Sequence, residues 1–356
     1  MKFSVDEKLL PFAYKVKSSP EQCLVTLQIN LTDFCVCKCK GCEHWKWPVK
    51  TKLNTDVLEQ NVLNELKNFP TLQTIVFSGG EPLLHKDIEK IIEKLKADGY
   101  YIGIITSGLG KPNIDWTSLS RNCNWIRFSS DGFTRENYAE TRGVDLFDEW
   151  TENLRILLEK NKMSHCETRI NITIHEYNID NFSKNLISFL RINNFQVPIF
   201  LWLSREIISH LQKNRNDEKS KTIETKILKI FEDLMIYGGE IDKSNVRKHF
   251  VSNYYIDYKS CFAPQLFGLI AADGNVFPCC YMYEPVFSMD KQQLDFVIGN
   301  VKESKLSNIY SSKKYYDIVN KFLNCSKCFE QCKYCDRYDH INVFLNSNIQ
   351  KRPIFL

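Results

Sequence analysis

The chain has 356 residues, of which 43% are hydrophobic and 25% are charged, a composition that is typical of a globular protein and excludes a disordered one. Its length suffices for one large domain or two ordinary ones, with ample capacity for a hydrophobic core. The 47 Lys and Arg nearly balance the 43 Asp and Glu, so the net charge of +4 predicts no strong basic field for nucleic acid.

From about residue 24 to 203, short β-type runs alternate with amphipathic helical patterns. This alternation predicts a parallel sheet with right-handed crossovers and helices on its faces. Six units are fewer than the eight of a closed barrel, so we expect an α/β fold with an open, partial (βα)6 TIM-like barrel. The predicted strands are 25–31, 74–77, 101–105, 125–129, 169–173 and 199–203, and the predicted helices are 56–68, 86–98, 146–160 and 181–192.

The sequence changes character after this alternation. Residues 204–217 are polar and basic, and 222–236 show an amphipathic helical pattern, which together suggest a bridging segment. Farther on, Asp273-Gly274 separates two β-prone runs at 267–271 and 276–279, a pattern that predicts a hairpin. We therefore expect a core at 1–210, a helical bridge at 211–253 and a small domain at 254–356.

The 14 cysteines are the unusual part of the composition. The N-terminus lacks the apolar core of an export signal, and no apolar run reaches the length of a membrane span. We therefore expect a cytoplasmic protein with no membrane partner, in which clustered thiols indicate metal or redox chemistry. The isolated Cys23, Cys123 and Cys166 are expected to be core residues instead.

Cys35, Cys39 and Cys42 have the spacing C-x3-C-x2-C directly after the first predicted strand. Three thiolates on one loop suit three irons of a cubane cluster and leave the fourth iron without a protein ligand. A zinc knuckle with His44 as fourth ligand is the alternative. Cys37 lies between two of these cysteines, and we interpret it as non-ligating because the other three already satisfy the spacing.

Three further motifs follow successive predicted strands in order. They read Ser78-Gly79-Gly80-Glu81-Pro82, Thr106-Ser107-Gly108 and Ser129-Ser130-Asp131-Gly132. Together with the cysteine spacing, this ordered set resembles the radical S-adenosylmethionine (SAM) superfamily. The resemblance implies a radical-generating 4Fe–4S cluster on the three cysteines and a SAM molecule chelated at its open iron. The carboxyl ends of barrel strands are also where active sites lie.

The resemblance further implies a set of SAM-binding positions. Gly79 and Gly80 allow the backbone to approach a ligand closely, and the loop that they form receives the SAM amino group beside Glu81. A salt-bridged loop carboxylate is the alternative for Glu81, and an Asx-type turn is the alternative for Asp131. The full implied set is Gly79, Gly80, Glu81, Ser107, Ser129, Asp131 and Asn171.

One position departs from the pattern of the superfamily. The residue before the last motif cysteine is usually aromatic there, whereas this chain has Gly41. His44, Trp45 and Trp47 follow closely, and we expect them to supply the packing that Gly41 lacks.

The C-terminal cysteines form a second group that resembles the SPASM and twitch extensions of radical SAM enzymes, which hold auxiliary 4Fe–4S clusters. Cys261, Gly274 and Cys279 are spaced C-x12-G-x4-C, and two C-x2-C pairs follow. The resemblance implies one auxiliary cluster on Cys261, Cys279, Cys325 and Cys328. Open alternatives are a set with Cys332 or Cys335, a second cluster with an open iron, and a zinc site. Cys280 adjoins Cys279, so the two are not expected to share a site.

The motifs together imply a radical SAM enzyme. Such an enzyme cleaves SAM reductively and abstracts a hydrogen atom from a substrate C–H bond, with an auxiliary cluster that assists oxidation or positions the substrate. The implied substrate is a peptide or a carbohydrate- or aminocyclitol-type small molecule, and the implied reductant is flavodoxin or ferredoxin. The alternative is a non-catalytic iron–sulfur electron carrier or a zinc-binding interaction module, neither of which needs a SAM pocket.

Overall fold

The computed structural model of the protein describes residues 23–42, 44–214, 216–238, 241–242, 260–283, 296–323 and 342. The strands in these ranges are β1 (Thr26–Asn30), β2 (Thr74–Ser78), β3 (Tyr101–Thr106), β4 (Trp125–Ser129), β5 (Glu167–Ile174), β6 (Ile199–Leu203), β7 (Ile241–Asp242), β8 (Phe267–Ile270), β9 (Asn275–Phe277) and β10 (Gly299–Asn300). The α-helices are α1 (Thr55–Asn61), α2 (Ile88–Ala97), α3 (Trp116–Asn122), α4 (Arg135–Arg142), α5 (Phe147–Asn161), α6 (Phe182–Asn193), α7 (Arg205–Lys213), α8 (Glu218–Tyr237), α9 (Ala263–Leu266), α10 (Leu306–Tyr310) and α11 (Lys313–Leu323).

The described residues fall into two compact units. One unit is built from Thr51–Gly79, the described residues up to Thr32 and those after Tyr255, and the other from Asp33–Lys50 and Gly80–Tyr254. The three N-terminal motif cysteines therefore belong to the second unit, and Cys261 and Cys279 belong to the first.

The first unit contains strands in the order β10-β9-β8-β1-β2. β1 runs parallel to both β2 and β8, so Thr26 pairs with Thr74 on one side and with Phe267 on the other. β9 runs antiparallel to both β8 and β10. The turn between β8 and β9 contains Gly274 at φ +89°, a left-handed conformation that favours glycine. The predicted hairpin is confirmed.

The second unit contains parallel strands in the order β3-β4-β5-β6-β7. Along β5, exposed or half-buried positions alternate with buried ones, and the buried set is Thr168, Ile170, Ile172 and Ile174. α2 buries one face through Ile88, Ile91, Ile92 and Leu95. An aromatic cluster surrounds the fully buried ring of Trp150, formed by Phe128, Phe133, Tyr138, Phe147 and Phe189.

All six predicted strands are confirmed, and none of their ends differs from the prediction by more than two residues. The predicted helix at 56–68 is wrong as a single element. α1 ends at Asn61, Val62 adopts φ −121° and ψ −66°, and a 3-10 segment, Leu63–Asn68, follows. The prediction that Cys23, Cys123 and Cys166 are core residues is also confirmed, since all three are buried.

The polar and basic stretch at 204–217, for which no helix of its own was predicted, contains α7. The Ser204 side chain accepts a hydrogen bond from the Ile207 N–H and caps the helix, and Ile207, Ile208 and Leu211 are buried. Within the described part of the chain, no helix combines the length and apolar character needed to cross a membrane.

Candidate cofactor site

The three motif cysteines lie on one loop that follows β1. The Cys42 N–H donates to the Cys39 carbonyl at 3.1 Å, and the indole N–H of Trp45 donates to the same oxygen at 2.9 Å. Cys35, Cys39 and Cys42 are half-buried, whereas Cys37 is 1% exposed. Cys37 is therefore more fully enclosed than the other three cysteines of the loop.

The thiols of this loop interact with one another. A hydrogen bond between Cys35 and Cys37 raises the pKa of Cys37 to about 11, and a hydrogen bond to Cys37 together with burial raises the pKa of Cys39. Burial also raises the pKa of Cys42, and the positive charge of Arg142 opposes the rise in all three. Because metal ligands are thiolates, cluster assembly on this loop must release protons.

The cysteine loop is anchored along the end of α4. The Lys38 N–H donates to the Arg142 carbonyl at 2.9 Å, and the Lys40 N–H donates to the Thr141 carbonyl at 3.0 Å. Gly143 follows with φ +69°, and a Cβ there would lie 2.5 Å from the Lys38 carbonyl oxygen. A glycine at 143 thus permits both the left-handed helix end and the close approach of the loop.

A buried ion pair between Arg142 and Asp131 lies at this end of α4. One guanidinium nitrogen of Arg142 lies 3.3 Å from Asp131 Oδ2, and Asp131 Oδ1 accepts a hydrogen bond from the Thr173 N–H at 2.9 Å. The Asn178 amide bridges the carbonyls of Asp131 and Thr173 at 3.1 and 2.9 Å. Both carboxylate oxygens of Asp131 therefore have protein partners that fix its orientation.

The glycine pair packs against the segment that leads into the cysteine loop. A Cβ at Gly80 would lie 2.4 Å from the Phe34 carbonyl oxygen, and the Glu81 N–H donates to that oxygen at 2.7 Å. Gly79 adopts φ +108°, and a Cβ there would lie 2.8 Å from the Asn30 side chain. These contacts explain why both positions are glycine, because a side chain at either one would clash with neighbouring atoms of the protein.

The Glu81 carboxylate is fully buried and accepts four hydrogen bonds. Its Oε1 accepts from the Thr106 hydroxyl at 2.5 Å and the Leu83 N–H at 3.0 Å. Its Oε2 accepts from the N–H and hydroxyl of Ser107 at 2.6 and 2.5 Å. Burial raises the pKa of Glu81 above its ordinary value, although the four donors oppose this. Glu81 thus joins the loop after Gly80 to the end of β3 and engages Ser107.

Two aromatic rings that sequence reasoning missed occupy the space beside Gly41. A Cβ at Gly41 would lie 2.4 Å from the His175 ring and 3.2 Å from the Tyr177 hydroxyl. The two rings stack with centroids 4.5 Å apart and planes at 14°. Rings from the loop after β5 therefore occupy the space directly beside Gly41. In the sequence, the signal for these two rings is that they directly follow a predicted strand.

The remaining predicted site residues lie on neighbouring strands. Ser129 on β4 pairs in register with Asn171 on β5. The Asn171 side-chain oxygen accepts a hydrogen bond from the Trp202 indole at 2.8 Å. The structure therefore brings Ser129 and Asn171 together and gives Asn171 a protein partner.

The donor set of the loop fits a cluster better than a single ion. Among the residues described, no group of three or more His, Cys, Asp or Glu side chains is arranged to hold a metal ion. A cubane cluster instead takes one thiolate per iron, which suits three separate thiols on one loop.

Of the second cysteine group, the structure describes Cys261, Cys279 and Cys280, while Cys325, Cys328, Cys332 and Cys335 lie outside the described residues. The Cys261 N–H donates to the Phe322 carbonyl at 3.0 Å, and Cys279 and Cys280 are buried where β9 leads into a 3-10 turn. Gly274 packs closely, since a Cβ there would lie 2.6 Å from the Asn300 side-chain oxygen.

Two family patterns match this sequence. That of the radical SAM superfamily matches residues 29–184, and that of an iron–sulfur cluster-binding domain, SPASM, matches residues 261–336. A tungsten-containing aldehyde ferredoxin oxidoreductase cofactor-modifying protein of Pyrococcus furiosus is 21% identical over 350 residues, covering 91% of this chain and 90% of that protein.

Among the solved structures that resemble the protein are Streptococcus suis SuiB and anSMEcpe. Streptococcus suis SuiB bound to the precursor peptide SuiA has a TM-score of 0.60 at 16% identity and covers 97% of this chain and 77% of its own. Native anSMEcpe with bound AdoMet has a TM-score of 0.59 at 17% identity and covers 88% of this chain and 87% of its own. At these identities the likeness shows the fold, a partial barrel with a C-terminal iron–sulfur domain.

Proposed function

The chain belongs to the radical SAM superfamily and carries a C-terminal SPASM domain, and from this we propose the residues and the reaction through which it acts. It is an enzyme with a 4Fe–4S cluster, SAM and auxiliary iron–sulfur chemistry. When bound, the reduced cluster and SAM supply a 5′-deoxyadenosyl radical that abstracts a hydrogen atom from a substrate C–H bond. The protein supplies orientation and protection from side reactions.

Cys35, Cys39 and Cys42 hold the radical-generating cluster. The observation that carries this assignment is the double anchoring of their loop. Before the first cysteine, the Phe34 carbonyl accepts from the Glu81 N–H, and between the cysteines Lys38 is bonded to the end of α4. A loop that is held at two points restricts the arrangement of its thiols, which lowers the cost of assembling a cluster.

The residues around this loop orient SAM. The backbone at Gly79 and Gly80, together with Ser107, Ser129, Asp131 and Asn171, forms the proposed SAM site. Glu81 contributes by holding Ser107 in place, because its own carboxylate is fully buried. Asp131 contributes similarly, since Arg142 and Thr173 fix its two oxygens.

The auxiliary cluster is assigned to Cys261, Cys279, Cys325 and Cys328. For the substrate, a peptide or a carbohydrate- or aminocyclitol-type small molecule remains the proposal. The SuiB structure contains a precursor peptide, and this supports peptides as the first probes. A flavodoxin or ferredoxin is the proposed electron donor.

Anaerobic reconstitution followed by SAM and dithionite tests the radical chemistry. We expect the wild type to form 5′-deoxyadenosine, Cys42→Ala to form none, and Cys37→Ala to retain formation, because Cys37 is enclosed in the same loop but is not assigned to iron. A wild type that forms no 5′-deoxyadenosine would instead support the electron carrier, and zinc without iron would support the interaction module.

Deuterium transfer tests the substrate class. A deuterated peptide that is a true substrate transfers deuterium into 5′-deoxyadenosine, whereas a non-substrate leaves it unlabelled. Transfer from a deuterated aminocyclitol, with none from peptides, would exclude the peptide proposal and leave the radical chemistry intact.

A further inference from the structure

Asn342 is a fully buried polar residue that contacts a proposed cluster ligand. Its side-chain oxygen accepts a hydrogen bond from the Phe262 N–H at 2.8 Å, and its Nδ2 donates to the Cys261 sulfur at 3.3 Å. The orientation of an amide follows from its hydrogen bonds. Because the backbone N–H of Phe262 is a donor, it requires the amide oxygen, and the amide N–H groups therefore face the sulfur.

The backbone around Cys261 is held by other contacts as well. The Cys261 N–H donates to the Phe322 carbonyl at 3.0 Å, and the Ser260 hydroxyl donates to the Leu323 carbonyl at 2.8 Å. Both of these bonds attach the segment to the end of α11 without touching the sulfur. The contact of Asn342 with the sulfur is therefore separable from the general anchoring of the segment.

We propose that Asn342 is a positioning residue for Cys261 and that its N–H···S hydrogen bond raises the reduction potential of the cluster that Cys261 holds. The proposal rests on the assignment of Cys261 as an auxiliary ligand. A hydrogen bond to a cluster sulfur stabilises the added negative charge of the reduced state, and partners of ligands orient them. A thiolate accepts such a bond more strongly than a thiol.

The test uses the full chain, reconstituted anaerobically, with three substitutions. Asn342→Asp is nearly isosteric and keeps an acceptor for Phe262, but it loses the donor and adds negative charge. Asn342→Ala loses the donor without adding charge. Ser260→Ala is the control, because it removes a neighbouring anchor that does not touch the sulfur.

Redox titration followed by electron paramagnetic resonance measures the potential of the auxiliary cluster. We expect it to fall in Asn342→Ala, to fall further in Asn342→Asp, and to stay at the wild-type value in Ser260→Ala. Unchanged potentials in both Asn342 variants, or an equal fall in Ser260→Ala, would overturn the proposal.

A measurement on the wild type keeps the proposal testable where a variant does not fold. In protein labelled with ¹⁵N-asparagine, the reduced auxiliary cluster should show a nitrogen coupling in pulsed resonance spectra, and its absence would refute the contact. A wild type with a SAM-cleaving cluster but no second cluster would remove both the auxiliary assignment and this inference. A second cluster without the coupling would remove the inference alone.

Discussion

At the residue scale, removal of the Glu81 carboxylate leaves several buried donors without an acceptor. In Glu81→Ala the Thr106 hydroxyl and two backbone N–H groups lose their acceptor, whereas the Ser107 hydroxyl keeps a backbone carbonyl at 3.2 Å. We expect the free energy of unfolding to fall by about 3 kcal/mol, since each unsatisfied buried group is costly. Chemical denaturation measures this. Glu140→Ala is the matched control, because its exposed pair with Lys40 contributes less than about 1 kcal/mol.

The raised pKa of Glu81 also predicts the direction in which the stability of the protein changes with pH. Burial raises the pKa of Glu81 above its ordinary value of 4.5, so the folded state binds the proton more tightly than the unfolded state does. Its contribution to stability is complete below pH 4.5 and is lost as the pH rises through the raised pKa. Glu81→Gln cannot titrate, so its stability relative to the wild type should increase with pH above 4.5. A constant difference across that range would contradict the direction of the shift.

Gly41 tests the aromatic pair beside the cysteine loop. An alanine Cβ would lie 2.4 Å from the His175 ring, which is itself stacked on Tyr177 and has little room to move. We expect Gly41→Ala to reduce the iron retained after reconstitution and to cost about 1–3 kcal/mol through overpacking. Combining it with His175→Ala opens the space and should restore part of the iron. A double variant that holds less iron than Gly41→Ala would argue against steric conflict as the cause.

At the scale of elements, Gly143 connects the end of α4 to the cysteine loop. Gly143→Ala places a side chain at φ +69° and brings its Cβ within 2.5 Å of the Lys38 carbonyl. Gly99→Ala is the control, because φ is +89° there but no described atom lies within 4 Å of the new Cβ. We expect both to lose about 1–2 kcal/mol of stability from backbone strain, and only Gly143→Ala to lose iron as well. Equal iron contents would show that the loop does not depend on this contact.

The strands and helices differ in how clearly the periodicity of their hydrophobic residues predicts them. The strands were predictable because buried and exposed side chains alternate along β5 and because β6 is almost continuously buried. The helix at 205–213 was missed because its polar and charged residues together outnumber its apolar ones, although Ser204 and the spacing of Ile207, Ile208 and Leu211 carried the signal. The break at Val62 has no marker in the sequence, since it depends on backbone angles that no Gly or Pro imposes there.

At the scale of the whole molecule, spacing predicted the cysteine loop, but the contacts that hold it depend on tertiary structure. The motifs located Glu81 and Asp131, and folding alone shows that Thr106, Ser107 and Arg142 are their partners. His175 and Asn342 lie far along the chain from the cysteines that they accompany. The position of His175 after a strand placed it near the strand ends, but no local pattern reports which residue contacts another across such separations, so these pairings could not be predicted from sequence.

The division of the cysteines between two compact units predicts that each cluster assembles without the other. Cys35, Cys39 and Cys42 belong to one unit, and Cys261 and Cys279 belong to the other. Two 4Fe–4S clusters correspond to about eight irons per chain. Replacing the three loop cysteines by alanine should leave about four irons, because the cysteines proposed as auxiliary ligands are intact, and it should abolish 5′-deoxyadenosine formation.

The reciprocal replacement of Cys261 and Cys279 should also leave about four irons, but it should retain SAM cleavage, because the cysteine loop and its anchors lie in the other unit. Iron and sulfide analysis, with product detection, measures both variants. If either replacement removed all the iron, cluster assembly would be coupled between the units, and the anchoring of the cysteine loop described above would be insufficient to hold its cluster.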